Sequence, residues 1–228
     1  MAAPRMRAAE DSMKALITGG TNGMGKGVAR ALAANPDVEL VILGRSEARL
    51  QEMSAELSSR SAPERIACVR ANLARLRDVR AAINEIRALH ASLDAVFVNA
   101  GLGYAPRREE TEDGLDPHFQ VNYLSHFMLT LNLLDLLEAS QRGGRIVFNA
   151  TEFGEINWDD LQMKQKWDFK SAVGQGMIAK RMFYTQLHEL YAARSGPSVS
   201  CFGFRIPKTV WSNQLNSSRS RCAPWPPW

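Results

Sequence analysis

Six short apolar runs recur along the chain, at Ala15 to Thr18, Val38 to Leu43, Ile66 to Val69, Ala95 to Val98, Arg145 to Phe148 and Val199 to Phe204, and each reads as a strand. Between them the apolar positions follow helical spacing, which predicts helices at Gly25 to Ala34, Ser46 to Ser59, Leu76 to His90, Leu115 to Ala139 and about Gly174 to Arg194. Strands separated by helices build a parallel sheet, because parallel neighbours need long crossovers and these are right-handed. The expected architecture is α/β, a doubly wound parallel sheet of about six strands covered on both faces. No repeat or linker divides the chain, so one domain is expected over 13–215, after a loose tail at 1–12 and before an irregular tail at 216–228. That last tail ends in three prolines and two tryptophans within five residues, which rules out helix or central strand. It reads as disordered, or as a tryptophan-anchored contact.

The first run leads through Thr18-Gly19-Gly20-Thr21-Asn22-Gly23-Met24-Gly25-Lys26-Gly27 into the first helix. Glycine permits backbone angles that a Cβ forbids, and lets main-chain N–H groups approach a phosphate at the positive end of a helix. Strand, glycine turn and helix in that order suit the pyrophosphate of a dinucleotide; the alternative is a turn rich in glycine for packing alone. The second strand ends just before Arg45, about 20 residues beyond Gly25, where the ribose-reading side chain of such a unit stands. A guanidinium there suits the 2′-phosphate of NADP, with Ser46 and Arg49 beside it; the other reading is a surface arginine at a helix start.

Composition narrows this picture modestly. The 228 residues, 45% hydrophobic and 23% charged, suffice for one sizeable core. The formal charge of +4 comes from Lys and Arg interspersed with acids, which argues against a nucleic-acid partner. Cys68, Cys201 and Cys222 lack metal-ligand spacing and read as buried reduced thiols of a cytoplasmic protein, with no metal expected. The first dozen residues lack the apolar core of a secretory signal, and the richest apolar stretch, Phe127 to Leu137, is interrupted by Thr130, Asn132 and Asp135. A soluble protein without a membrane partner is expected.

Three further segments join the glycine turn in resembling one family: Asn99-Ala100-Gly101 after the fourth strand, Val121 to Phe127 in the next helix, and Arg145 to Thr151 on the fifth strand. Across 13–215 the chain resembles the short-chain dehydrogenases/reductases. The resemblance implies a Rossmann-like sheet in the order 3-2-1-4-5-6, an oxidoreductase activity on a carbonyl or alcohol, and NADP(H) as cofactor. It places Gly19, Thr21, Asn22, Gly23, Met24, Gly25 and Arg45 around the cofactor, with Asn99, Ala100 and Gly101 supporting it. Asn72-Leu73 stands where the family usually has Asp-Leu against the adenine. Asn122 inherits the role of holding a water in the proton relay. The Leu115 to Ala139 helix and the helix after the fifth strand pair across a two-fold axis in the family, which implies a homodimer.

The catalytic Ser-Tyr-Lys set of the family is where the resemblance breaks. Ala172 to Lys180 resembles the stretch YGQSKLAN, with Val173 at the tyrosine and Met177 at the lysine. A register that makes Lys180 the motif lysine puts Gly176 at the tyrosine, so both registers lack it. Thr151 keeps a hydroxyl at the serine position. A positioned general acid or base is worth roughly 100- to 10,000-fold in rate, so its loss should nearly silence carbonyl reduction. Tyr104, Tyr123, Lys170 and Lys180 are the candidate substitutes, each also readable as an ordinary surface or packing residue. Pro207-Lys208-Thr209-Val210-Trp211-Ser212 resembles the family's Pro-Gly turn and V-x-T segment with Lys208 for glycine, and the chain has no room after Leu215 for the family's substrate lid and seventh strand. Three readings stay open: an NADP-dependent oxidoreductase with an unusual proton path, a non-redox enzyme (cyclisation, isomerisation or dehydration) on the same scaffold, and a non-catalytic binding protein. Tyr104, Thr151, Phe153 and Trp158 suggest a small apolar or aromatic organic substrate.

Overall fold

The structure, a computed structural model, describes residues 12–59, 62–150, 154–194 and 198–205. Strands β1 (Met13–Thr18), β2 (Val38–Gly44), β3 (Ile66–Arg70), β4 (Ala95–Val98), β5 (Gly144–Ala150) and β6 (Val199–Arg205) form one sheet in the order β3-β2-β1-β4-β5-β6. All neighbours are parallel, with Ile17 opposite both Ile42 and Phe97, and Val98 opposite Phe148. The six expected strands are all present, each extended by one to three residues except β4.

Their apolar runs follow from burial on both faces. On β1, Ala15 and Ile17 pack with Ala29 of helix α1 (Gly23–Ala33) and with Leu50, Met53 and Leu57 of α2 (Glu47–Ser58). Leu16 points to the opposite face, with Val79, Ile83 and Ile86 of α3 (Leu76–Leu89) and with Leu129 of α5 (Ser125–Asn132). Tyr184 of α7 (Phe169–Ala192) belongs to the second core and stacks on Phe148, the ring centroids 4.7 Å apart. Ser46 caps α2, its side chain accepting from Arg49 N at 3.4 Å.

The expected helix from Leu115 to Ala139 is instead a chain of short pieces. It runs through α4 (Pro117–Phe119), a π-helical turn at Gln120–Leu124, α5, and α6 (Leu134–Glu138). Asp116 starts it, accepting from His118 N and Phe119 N. In the π turn Ser125 N reaches Gln120 O, five residues back. At Leu133 the backbone leaves helical angles (φ −115°, ψ 7°), and the Asn132 side chain takes Met128 O at 2.8 Å. Helix α7 starts earlier than expected, because Asp168 caps it by accepting from Ser171 N at 3.0 Å.

Cys68 and Cys201 are free and half-buried rather than fully buried, since each lies on a strand face that the helices cover incompletely. Burial raises both thiols, Cys201 to about 12. Cys222, the expected tails apart from Ser12, and the segment Pro207 to Ser212 lie outside the described residues. Among the described residues no helix is long and apolar enough to cross a membrane, and no cluster of His, Cys, Asp and Glu could hold a metal ion.

Candidate active site

The turn after β1 is built by close backbone approach. Gly19 has φ +72°, and a Cβ on it would lie 3.0 Å from Ala100 Cα. A Cβ on Gly25 would lie 2.3 Å from Gly19 O and 2.4 Å from Asn99 Nδ2, so α1 begins pressed against both strand ends. Asn22 at the N-cap is extended and its side chain makes no cap hydrogen bond; no acid occupies the first turn. The opening N–H groups of α1 and the positive end of its dipole are therefore available to an anion, and the residues present fit a pyrophosphate. Gly23 has φ +52°, and Met24 is exposed at the mouth of the turn. Thr21 sits against Gly44, where a Cβ would meet its Cγ2 at 3.1 Å.

Behind the turn, Thr18 ties β1 to the end of β4. Its Oγ1 accepts from Asn99 N (3.0 Å) and Ala100 N (3.1 Å), so its own hydrogen is left for His126 Nε2 at 3.0 Å, with Phe97 O further off at 3.4 Å. His126 Nε2 is then an acceptor and the ring is neutral. Burial agrees, holding this imidazole down at about 3, with the Lys180 ammonium pushing the same way and the Asn122 and Val121 carbonyls opposing. Asn99 Nδ2 donates to Thr18 O (3.3 Å) and lies 3.5 Å from Gly19 O.

His118, Asn122 and His126, four residues apart, staple the segment after β4 and the end of β1. Gly103 O can only accept, so His118 Nε2 carries the hydrogen between them (3.1 Å); Leu102 N donates to Asn122 Oδ1 (2.8 Å). A Cβ on Gly101 would lie 3.2 Å from the same Asn122 Oδ1. Burial lowers the His118 imidazole below its usual range.

On the rim, Arg45 is exposed immediately after β2, one residue before the α2 cap. Asn72 Oδ1 accepts from Ala74 N (3.1 Å), and its backbone N donates to Asp78 Oδ2 (3.2 Å). Leu73 is buried, and its carbonyl accepts from Ser125 Oγ at 2.6 Å. Its side chain thus packs in the core formed with α3 and α5.

The other wall is α7, where nine consecutive residues, Ala172 to Lys180, are buried. Val173 and Met177 are 1% and 4% exposed. Segment 154–168 covers the helix: a Cβ on Gly154 would lie 2.6 Å from Gly174 Cα, and the Gln175 amide accepts from Asn157 N (2.8 Å) and donates to Leu161 O (2.7 Å). Gly176 lets the His118 carbonyl approach to 2.9 Å of where its Cβ would be. An aromatic group closes this end, with Tyr104 edge-on to Phe169 (5.1 Å), Phe169 edge-on to His118 (5.6 Å), and Trp167 donating to buried Asp116. Trp158 is 68% exposed, and Thr151 and Phe153 lie outside the described residues.

Of the four candidate proton donors, Tyr104 and Lys170 are exposed, and burial raises the half-buried Tyr123 phenol. Lys180 is neither a surface residue nor an apolar packing residue. It is 1% exposed, its Nζ donates to Asn149 Oδ1 at 2.5 Å, and desolvation lowers its ammonium to about 7. Asn149, unremarked in the sequence, passes the contact on through Nδ2 to Asn99 O (3.3 Å). The signals for these groups were positional: Lys180 lies two turns beyond Val173, and the histidines flank Asn122 at helical spacing.

The family description "short chain dehydrogenase" matches residues 13–162. Polyprenol dehydrogenase of Mus musculus is 35% identical over 192 residues, covering 82% of this chain and 57% of that protein. Retinol dehydrogenase 14 of the same organism is 32% identical over 185 residues, covering 75% and 54%. The chain therefore spans little more than half the length of these relatives. Among solved structures, an alcohol dehydrogenase from the archaeon Thermococcus sibiricus complexed with 5-hydroxy-NADP has a TM-score of 0.65 at 23% identity, covering 85% of this chain and 75% of that one. A metagenomic short-chain oxidoreductase in complex with NADP has a TM-score of 0.67 at 17% identity, covering 88% and 83%. At such identities the likeness is one of fold.

Proposed function

The chain belongs to the short-chain dehydrogenases, and from this premise we propose that it binds NADP(H) and acts as an oxidoreductase on a carbonyl or alcohol, by a proton path without the family's tyrosine and lysine. The observation that carries the reading is the start of α1, uncapped by any side chain and held against Gly19 and Asn99 by Gly25. The N–H groups of that first turn bind the pyrophosphate, Arg45 takes the 2′-phosphate, and Asn99 to Gly101 support the cofactor from below. When bound, the nicotinamide supplies hydride chemistry. Asn122, its Oδ1 fixed by Leu102 N, holds the relay water, and Thr151 offers a hydroxyl to the substrate oxygen.

Fluorescence titration of the folded protein with NADPH is expected to saturate at micromolar levels, and Arg45→Asp to weaken NADPH about 10- to 100-fold while sparing NADH. Absence of NADPH binding would overturn the reading and leave the glycine turn structural. A second reading, dinucleotide binding without hydride transfer, is favoured by the near-complete burial of Val173 and Met177. A panel of aldehydes and ketones that leaves NADPH absorbance at background would select it. Under the first reading, a small apolar or aromatic substrate suits the aromatic group of Tyr104, Trp167 and Phe169.

We also read the outer faces of α5 and α7 as a homodimer surface, since Leu131, Met182 and Leu190 are 43%, 47% and 55% exposed there. Light scattering is expected to give twice the chain mass at tens of micromolar; a monomer would remove this reading.

A further inference from the structure

Lys180 is a fully buried amine whose described hydrogen-bond partner, Asn149 Oδ1, is neutral. His126 on α5 is the titratable group that feels it, and it is held neutral. Around Tyr184, one turn along α7, stand Tyr123 on the π turn and Cys201 on β6, and burial raises all three, so none is ionised at neutral pH. Among the described residues, these elements therefore bring no counter-ion to an ammonium at this position. A buried charge in that position either loses its proton or acquires an anion.

The hydrogen bonds lead toward the place where an anion is expected. Lys180 Nζ donates to Asn149 Oδ1, Asn149 Nδ2 to Asn99 O, and Asn99 Nδ2 to Thr18 O, with Gly19 O at the edge of its reach. Lys180 fixes the Asn149 amide by donating to its Oδ1, which leaves Nδ2 for the backbone carbonyl of Asn99, and the Asn99 side chain is fixed separately by the carbonyls of Thr18 and Gly19, which can only accept. The chain crosses the carboxyl ends of β5, β4 and β1 and stops beneath the glycine turn.

We propose that Lys180 is a positioning residue for the cofactor: through Asn149 and Asn99 it fixes the floor under the glycine turn, and it takes up a proton when the polyanionic dinucleotide binds above that floor. The proposal rests on the NADP(H)-binding reading given above. It assigns Lys180 a place outside the chemical step, since its side chain is fully buried and its Nζ is held by Asn149 at the end of β5. Its low intrinsic basicity in the free protein, about 7, leaves it largely uncharged at pH 7.5 and able to respond. An anion nearby favours the charged form, so binding draws a proton from solvent.

Calorimetric titration of the full chain with NADPH at pH 7.5, in two buffers of different ionisation enthalpy, is expected to show net uptake of a fraction of one proton per cofactor bound. Uptake should vanish near pH 5, where the lysine is already charged in the free protein. Lys180→Met should abolish the uptake and raise the NADPH Kd about 10-fold. Lys180→Arg, which keeps a permanent charge, should recover part of the affinity with no uptake. A role in packing alone would leave the proton count unchanged between wild type and Lys180→Met, and that result, or wild-type binding indifferent to buffer, overturns the proposal. Should the variants not fold, the wild-type pH profile of the uptake decides. Failure of NADPH to bind at all is a different outcome, removing the function reading and this one with it.

Discussion

Gly25→Ala is expected to weaken NADPH binding by at least about 100-fold and to destabilise the fold by about 3 kcal/mol. The added methyl would sit 2.3 Å from Gly19 O, 2.4 Å from Asn99 Nδ2 and 3.0 Å from Gly19 C. Two of these are backbone atoms of the turn itself. Relief therefore requires α1 to back away from β1 and β4, which turns its first N–H groups off the anion position. Gly27→Ala, two residues on, is the control. It is exposed, nothing lies within 4 Å of its would-be Cβ, and alanine is the better helix former by about 1 kcal/mol, so stability should hold or rise. Thermal unfolding together with fluorescence titration separates the two variants. Wild-type affinity in Gly25→Ala would show that close packing of this turn does not shape the site.

Unfolding followed from pH 7 to pH 10 is expected to show stability rising by about 1 kcal/mol per pH unit more in the wild type than in Lys180→Met. In the folded chain Lys180 sheds its proton near pH 7; an unfolded lysine keeps it until about pH 10.4. Between those limits the unfolded chain binds more protons, so raising the pH favours the folded state. Below pH 7 both states are charged and the contribution is flat at its least favourable value. Full burial means that solvent does not screen the effect. The variant also leaves Asn149 Oδ1 without its donor, which shifts its stability at every pH but not the slope. Parallel slopes in the two proteins would refute the buried, deprotonating lysine.

The strands were legible because both faces of this sheet are covered, which makes Leu40 to Leu43 or Ala95 to Val98 continuous apolar runs that no exposed segment would carry. The glycine turn was legible for a related reason, since Gly19 and Gly25 answer backbone demands that other residues fail. The segment from Leu115 to Ala139 misled because its apolar spacing persists through changes of pitch. The π turn at Gln120–Leu124 and the departure at Leu133 depend on which carbonyls Ser125 N and the Asn132 side chain choose, and those choices leave no apolar pattern. Helix α7 was expected to begin only at about Gly174; Gly174 and Gly176 instead lie inside it and serve as contact points for Gly154 and the His118 carbonyl. Lys180, His126 and Asn149 were missed as a connected group because a polar residue at helical or strand spacing ordinarily marks a solvent face. Only the three-dimensional arrangement shows that these polar atoms satisfy one another inside. Arg45 stands where the spacing put it, at the end of β2 beside the α2 cap.

The sheathing of Ala172 to Lys180 bears on which substitutions this helix can accept. In an ordinary amphipathic helix a lost side chain leaves a solvent-facing or cleft-facing position that a later substitution can refill. Here Val173 and Met177 are enclosed, and Gly154 bears directly on Gly174 between them. A tyrosine and a lysine introduced at those positions would each need volume that is already taken, at about 1–3 kcal/mol of crowding apiece. Single substitutions would therefore give less stable proteins, so the closed helix works as a latch: installing the pair requires the covering segment to be remade at the same time.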